Sequence, residues 1–187
     1  MKEIEIEFKV LLTKEEHQDI LKDIKFDNFV EQTNHYFETG DFILKQNKLS
    51  LRVRQICNRF YLMLKDIKNQ EAIEVNVEIS KDEFDEMMIS YKVNNHEIND
   101  YLKDYPLEDL ILDNKAKLKT FRYYTPYRDC ILFLDESHYY GVIDYELELE
   151  AKSVEYGQKI IDEISGKYNL TTTDVSGKKT RAYANKK

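Results

Sequence analysis

Three stretches of this chain place acidic side chains on alternate residues, and a fourth places arginines there. Glu3, Glu5 and Glu7 lead into Lys9, Glu74 and Glu78 flank Asn76, Glu146, Glu148 and Glu150 follow the same spacing, and Arg52 and Arg54 invert the sign. Carboxylates are hard oxygen donors suited to divalent cations, and guanidinium forks suit phosphate oxygens. The two kinds of cluster call for a ligand that joins them, and a metal-bound triphosphate is one.

The elements that position these residues are β-strands. In residues 3–10 the charges fall on one face while Ile4, Ile6, Phe8 and Val10 fall on the other, because successive strand side chains point to opposite faces. One reading is a half-buried strand whose charges meet water. The other closes the strands into a barrel with the charges inside. The sorting of sign strand by strand favours the second, since a solvated face has no need of it. Burying Glu5, Glu7, Glu74, Glu146 and Glu148 together requires cations, because each unpaired buried ion costs several kcal/mol. A structural salt-bridge lattice or a bound metal-triphosphate would each supply them.

Along the chain, Thr13 with Glu16 forms a capping box that opens a helix with Ile20, Leu21 and Ile24 as its stripe. Strand pattern returns over 29–39 and is broken at Gly40-Asp41 and again at 46–48. Residues 49–54 and 59–65 read as a hairpin, with Tyr61, Met63 and Lys65 on one face of its second strand, and 72–79 as a further strand. Ser80 and Glu83 make a second capping box, before Phe84, Met87, Met88 and Tyr91 at core spacing. Residues 95–114 predict one or two short helices with Ile98, Tyr101, Leu102 and Tyr105 as a stripe ending at Pro106. Three strands follow over 117–127, 130–137 and 143–151, joined by turns at 126–129 and 140–141. Ser153 caps a helix carrying Tyr156, Ile160, Ile161, Ile164 and Tyr168, and 178–187 is a lysine-rich segment. Strands with helices between them and hairpin-like links predict an antiparallel α+β barrel formed by one domain over 1–187.

Composition narrows the function. A net charge of -8 and a pI near 5.1 argue against a nucleic-acid partner. Cys57 and Cys130 stand alone, without metal-ligand spacing, and no apolar run reaches the length of a signal core or a membrane span. The expectation is a cytoplasmic protein with no membrane partner. The five glycines form neither a P-loop nor a dinucleotide fingerprint. Asp135-Glu136-Ser137-His138 is no triad, since consecutive strand residues face opposite ways. His17, His35, His96 and His138 read as surface or hydrogen-bonded residues without a role.

Glu5-x-Glu7-x-Lys9 resembles the ExExK signature of the CYTH superfamily, the triphosphate tunnel metalloenzymes. Other motifs agree in order along the chain. Asn34-x-Tyr36-Phe37-Glu38-Thr39 resembles the second-strand motif and residues 49–54 the double-arginine strand, while Lys65, Glu74, Arg122, Asp135, Glu146-x-Glu148 and Lys178 fall where the family carries tunnel charges. Glu38 stands for the usual Asp, Ser50 for the usual Ala, and Ser176-Gly177-Lys178 separates an often adjacent Ser-Lys pair. The chain is most similar to short bacterial single-domain members. The resemblance implies a closed eight-stranded antiparallel β-barrel, a triphosphate tunnel with helices packed outside. It implies that Lys9, Arg52, Arg54, Lys65, Arg122 and Lys178 grip a small-molecule triphosphate, that Glu5, Glu7, Asp135, Glu146 and Glu148 hold Mg²⁺ or Mn²⁺, and that Lys9, Lys65 and Glu74 are catalytic, with Glu74 lining the acidic side or orienting water. The expected activity is metal-dependent triphosphate hydrolysis. Adenylyl cyclase, thiamine triphosphatase and a non-catalytic nucleotide or polyphosphate sensor are the alternatives.

Overall fold

In chain order the elements are β1 (Lys2–Leu12), α1 (Lys14–Asp23), β2 (Asn28–Glu38), α2 (Ile43–Gln46), β3 (Leu49–Ile56), β4 (Arg59–Lys68), β5 (Glu71–Ile79), α3 (Lys81–Ser90), α4 (His96–Leu102), β6 (Asn114–Tyr127), β7 (Cys130–Tyr139), β8 (Val142–Ala151), α5 (Val154–Tyr168) and α6 (Lys178–Asn185). The computed structural model describes residues 2–68, 71–105, 111–171 and 176–186, and leaves the side chains of residues 2–5, 68 and 71 outside that description. Pro106 therefore lies outside the described residues. The chain divides into two compact units, one of Met1–Ile4 with Thr33–Lys117 and one of Glu5–Gln32 with Leu118–Lys187. The α+β class and the antiparallel strands expected from the sequence are present in each.

In the first unit β5, β4, β3 and the second half of β2 lie side by side. The β3–β4 and β4–β5 pairs are antiparallel, and their register aligns Ser50, Lys65 and Glu74 in one row and Arg52, Met63 and Asn76 in the next. The opposite face carries Leu51, Val53, Leu62, Leu64 and Val75 into a core completed by Phe84 and Met87 of α3 and Ile98 and Leu102 of α4. Ser80 and Glu83 form the expected capping box. Tyr91 departs from the helical stripe. It ends α3 in the left-handed region at φ 60° and is 42% exposed, with Lys115 Nζ 4.1 Å from its ring centre. Helix α2 escaped the sequence reading because its cap is remote. The fully buried Glu38 carboxylate accepts the Leu44 and Lys45 N–H groups at 2.9 and 3.1 Å, six and seven residues on. Asp66, also buried, accepts the hydroxyls of Tyr101 and Tyr105 at 2.7 and 2.5 Å and so fastens α4 to β4.

In the second unit β6, β7, β8 and β1 are successive antiparallel neighbours. Val10, Leu132, Leu134, Leu147 and Leu149 face a core shared with Ile20 of α1 and Ile160, Ile161 and Ile164 of α5. Thr13 and Glu16 complete the first capping box. His17 differs from its expected surface role. It packs its ring 4.9 Å from that of Tyr145, is 4% exposed, and its Nε2 meets no partner among the described residues. Burial lowers its pKa. Among the described residues no helix is long and apolar enough to cross a membrane.

Helix α5 lies against β1 and β8 so closely that its contact residue has to be glycine. A Cβ on Gly157 would stand 2.1 Å from Phe8 Cε2 and 2.8 Å from Ala151 Cβ, whereas one on Gly166 of the same helix would meet nothing within 4 Å. Gly157→Ala should therefore lower stability by about 1–3 kcal/mol through overpacking, while Gly166→Ala should leave it unchanged or raise it through helix propensity. Thermal melts of the two variants check this, and equal melting points would contradict the close approach.

Candidate active site

Two short turns set the register on which the acidic cluster depends. Arg128 and Tyr140 adopt positive φ, as does Gly141, and two-residue links leave Tyr127 opposite Cys130 and Tyr139 opposite Val142. Counting back five residues on each side of the first turn brings Arg122 opposite Asp135, and four on each side of the second brings Asp135 opposite Glu146. Directly paired residues share a sheet face, so Arg122, Asp135 and Glu146 form one row. Lys9 lies opposite Glu148 in the next row, beside Phe133.

The row is densely paired. Arg122 donates through Nε to Asp135 Oδ1 at 2.8 Å and through Nη2 to Asp135 Oδ2 at 2.6 Å, and Nη2 also meets Glu148 Oε2. Its guanidinium carbon lies 4.4 Å from the centre of the Phe133 ring. Lys178, at the first turn of α6, reaches Glu146, Glu148 and Asp135 at 2.5, 2.7 and 2.9 Å. Lys9 lies 3.0 Å from Glu7 and 3.7 Å from Glu148. Asp135 and Glu146 are fully buried and Glu148 nearly so.

Burial and pairing pull the two glutamates apart. Burial pushes Glu146 up to about 7 against the pull of Lys178. Burial also acts to raise Glu148, but Lys178, Arg122 and Lys9 overcome it and hold that carboxyl well below its ordinary range. For Lys178, burial opposes the charge, and Asp135, Glu148 and Glu146 more than compensate, so its pKa is raised.

The first unit holds a second group. Glu74 Oε1 lies 3.4 Å from Arg52 Nη2 and 3.7 Å from Lys65 Nζ, and Arg54 Nε donates to Asn34 Oδ1 at 3.2 Å. The structure thus gathers Arg52, Lys65 and Glu74, with Arg54 on a neighbouring strand position, and separately gathers Glu7, Lys9, Arg122, Asp135, Glu146, Glu148 and Lys178. The side chain of Glu5 lies outside the described residues.

Among the described residues no three His, Cys, Asp or Glu side chains are arranged to hold a metal ion as they stand. The geometry around Lys178 gives the physical reason, since its ammonium occupies the point on which three carboxylates converge. Those donors are all oxygens and already surround a cation, so their chemistry fits a hard divalent ion. Sequence reasoning missed Arg181, which pairs with Asp144 and Glu146 at 2.7 and 2.6 Å. The available signal was its spacing three residues after Lys178, which puts both on one helix face.

Replacing Lys178 by Met keeps the stem and leaves three buried carboxylates short of one cation. The loss should be about 3–5 kcal/mol near pH 8. A carboxyl whose folded pKa exceeds its unfolded value takes up a proton as pH falls, so the penalty should shrink from about pH 8 to about pH 6 as Glu146 becomes neutral. Urea midpoints for Lys178→Met and the unaltered protein at both pH values measure this. An equal gap at both would contradict the pairing.

The sequence profile of the CYTH domain matches residues 3–183. YjbK of Bacillus subtilis, provisionally named a triphosphatase, is 28% identical over 187 residues, covering 99% of this chain and 97% of its own length. The crystal structure of a Bacillus halodurans protein, provisionally described as an adenylate cyclase, superposes with a TM-score of 0.86 at 33% identity, covering 96% of this chain and 97% of that one. A Hippeastrum protein, provisionally an adenylyl cyclase and described as having a dominant triphosphatase activity, superposes with a TM-score of 0.75 at 20% identity over 100% of this chain and 97% of that one. The likeness carries an eight-stranded antiparallel sheet with helices.

Proposed function

This chain belongs to the CYTH domain family, and from that premise we propose that it is a metal-dependent triphosphatase acting on inorganic triphosphate or a small organic triphosphate. The observation that carries the reading is the buried row Arg122–Asp135–Glu146 with Glu148 and Lys178 beside it. A fold needing only stability gains little from buried ion pairs, which hydrophobic residues of similar volume often replace without loss. The closure of the eight strands into a barrel, the Mg²⁺ or Mn²⁺ cofactor and a cytoplasmic setting belong to the same proposal.

In this reading Arg52, Arg54, Lys65, Lys9 and Arg122 take phosphate oxygens, and guanidinium forks fix their orientation. Glu7, Asp135, Glu146 and Glu148 hold the divalent ion, with Glu5 beside them in the sequence motif. The ion, when bound, neutralises phosphate charge and makes a water more acidic. Glu74 orients water, and Lys9 and Lys65 offset the charge that develops on the phosphoryl oxygens. Lys178 gives up its three carboxylates and turns to a phosphate oxygen. The names of the relatives support both hydrolysis and, as a second reading, cyclisation of ATP.

Incubating the purified protein with inorganic triphosphate, thiamine triphosphate, ATP or GTP and resolving the products decides among the readings. Orthophosphate should be released fastest from inorganic triphosphate, excess chelator should abolish turnover, and Mg²⁺ or Mn²⁺ should restore it better than Ca²⁺, whose coordination is looser. Cyclic AMP as the main product from ATP would establish the cyclase instead. Tight binding without turnover would make the protein a sensor.

Arg52→Ala should raise KM for triphosphate more than it lowers kcat, because it removes a phosphate contact shared by ground and transition states. Steady-state kinetics at saturating Mg²⁺ test this. A fall in kcat alone would assign Arg52 to the transition state only.

A further inference from the structure

Helix α6 brings a second cation to the carboxylates, one that no motif in the sequence marks. Every nitrogen of the Arg181 guanidinium has an acceptor. Nε donates to Asp144 Oδ2 at 2.7 Å, Nη2 donates to Glu146 Oε2 at 2.6 Å and reaches Asp144 Oδ1 at 3.4 Å, and Nη1 donates to the Ser176 carbonyl at 2.5 Å. Asp144 is held in turn by the Tyr139 hydroxyl at 2.5 Å. Asp144 and Glu146 are two residues apart on β8 and therefore share a face. The planar guanidinium meets both through separate nitrogens in one fixed geometry, whereas an ammonium would meet them as a point charge on a flexible stem.

The consequence falls on Glu146, whose two oxygens are divided between two cations. Oε2 is taken by Arg181, and Oε1 points to Lys178 at 2.5 Å. Rotation of this fully buried carboxylate would break a charge-assisted hydrogen bond. Anchoring α6 to β8 alone would be complete with the two bonds to Asp144. The bond to Glu146 adds the desolvation of a second carboxylate, and what it gains is orientation.

We propose that Arg181 is a positioning residue of the triphosphatase, fixing Glu146 so that a single oxygen, Oε1, is presented beside Glu148 and Asp135. The inference rests on the metal-dependent reading above. Arg181 touches neither phosphate nor the divalent ion and acts through Glu146. Groups that hold a metal-ligating carboxylate in place commonly matter about 10–100-fold for metal affinity or activity.

The test compares Arg181→Met and Arg181→Lys with the unaltered protein and with Tyr139→Phe, which keeps the bond between Arg181 and Glu146. Mn²⁺ affinity without substrate, read from the electron paramagnetic resonance of the free ion, is measured beside kcat, KM and the thermal midpoint. Both Arg181 variants should lose about 10–100-fold in Mn²⁺ affinity and in kcat, with KM at saturating metal little changed and no rescue by lysine. Tyr139→Phe should stay near the unaltered protein. If Arg181→Met melts too low to assay, Arg181→Lys, which keeps the charge and most of the stem, decides. A folded Arg181 variant with normal Mn²⁺ affinity and kcat overturns the proposal, even if its thermal midpoint has fallen. Should the unaltered protein bind Mn²⁺ but hydrolyse no triphosphate, the reaction assignment fails and the Mn²⁺ measurement alone judges Arg181. Absence of Mn²⁺ binding in the unaltered protein overturns the positioning role.

Discussion

A cluster of buried like charges has to be answered by opposite ones, and the second unit is built around that constraint. Asp135, Glu146 and Glu148 are almost entirely removed from water and meet at the Lys178 ammonium. Several kcal/mol of desolvation per ion would be prohibitive without Arg122, Lys9 and Lys178. The last of these comes from α6, so that helix supplies part of the neutralisation. The alternation of β8 links the site to the core as well. Glu146 and Glu148 point to the charges while Leu147 and Leu149, both fully buried, point to α1 and α5. A slip of one residue in register would exchange the two faces.

The first unit has its own buried glutamate, Glu74. Arg52 and Lys65 stand 3.4 and 3.7 Å from the one glutamate oxygen they share, against 2.5 to 2.9 Å for Lys178 and its three carboxylates. Charge-assisted hydrogen bonds are strong near 2.7–2.9 Å and weaken beyond that. Short charge-assisted contacts fix the carboxylates of the second unit in position.

What was legible in the sequence was local. The two capping boxes need residues three apart, the strand faces need only alternation, and both follow from these features. The row Arg122–Asp135–Glu146 could also be counted out from the turns, because a two-residue link fixes register along the whole hairpin. Features held from a distance were hidden. Helix α2 depends on Glu38, α6 has no side-chain cap at Gly177, and Arg181 finds its acceptors 35 and 37 residues away. Tyr91 followed the periodicity of α3 but left its core because the helix turns left-handed there, which spacing alone does not signal.

The charge balance of the cluster bears on how Lys178 acts in the proposed reaction. Among the described residues, and with Glu146 ionised, Glu7, Asp135, Asp144, Glu146 and Glu148 face Lys9, Arg122, Lys178 and Arg181, one negative charge in excess. A divalent ion joining the carboxylates with Lys178 still in place would put two cations on the same oxygens, at a repulsion of roughly 8 kcal/mol for charges of one and two about 4 Å apart at an effective dielectric of 20. Exchange would avoid that cost. In the proposed reaction, withdrawal of Lys178 would leave its three carboxylates to the divalent ion with the charges balanced, and the released ammonium would be available to a phosphate oxygen. Arg181 does not take part in the exchange. Its bonds to Asp144 tie α6 to β8, so Lys178 could leave the carboxylates by a rotation of its own side chain while the helix stays docked.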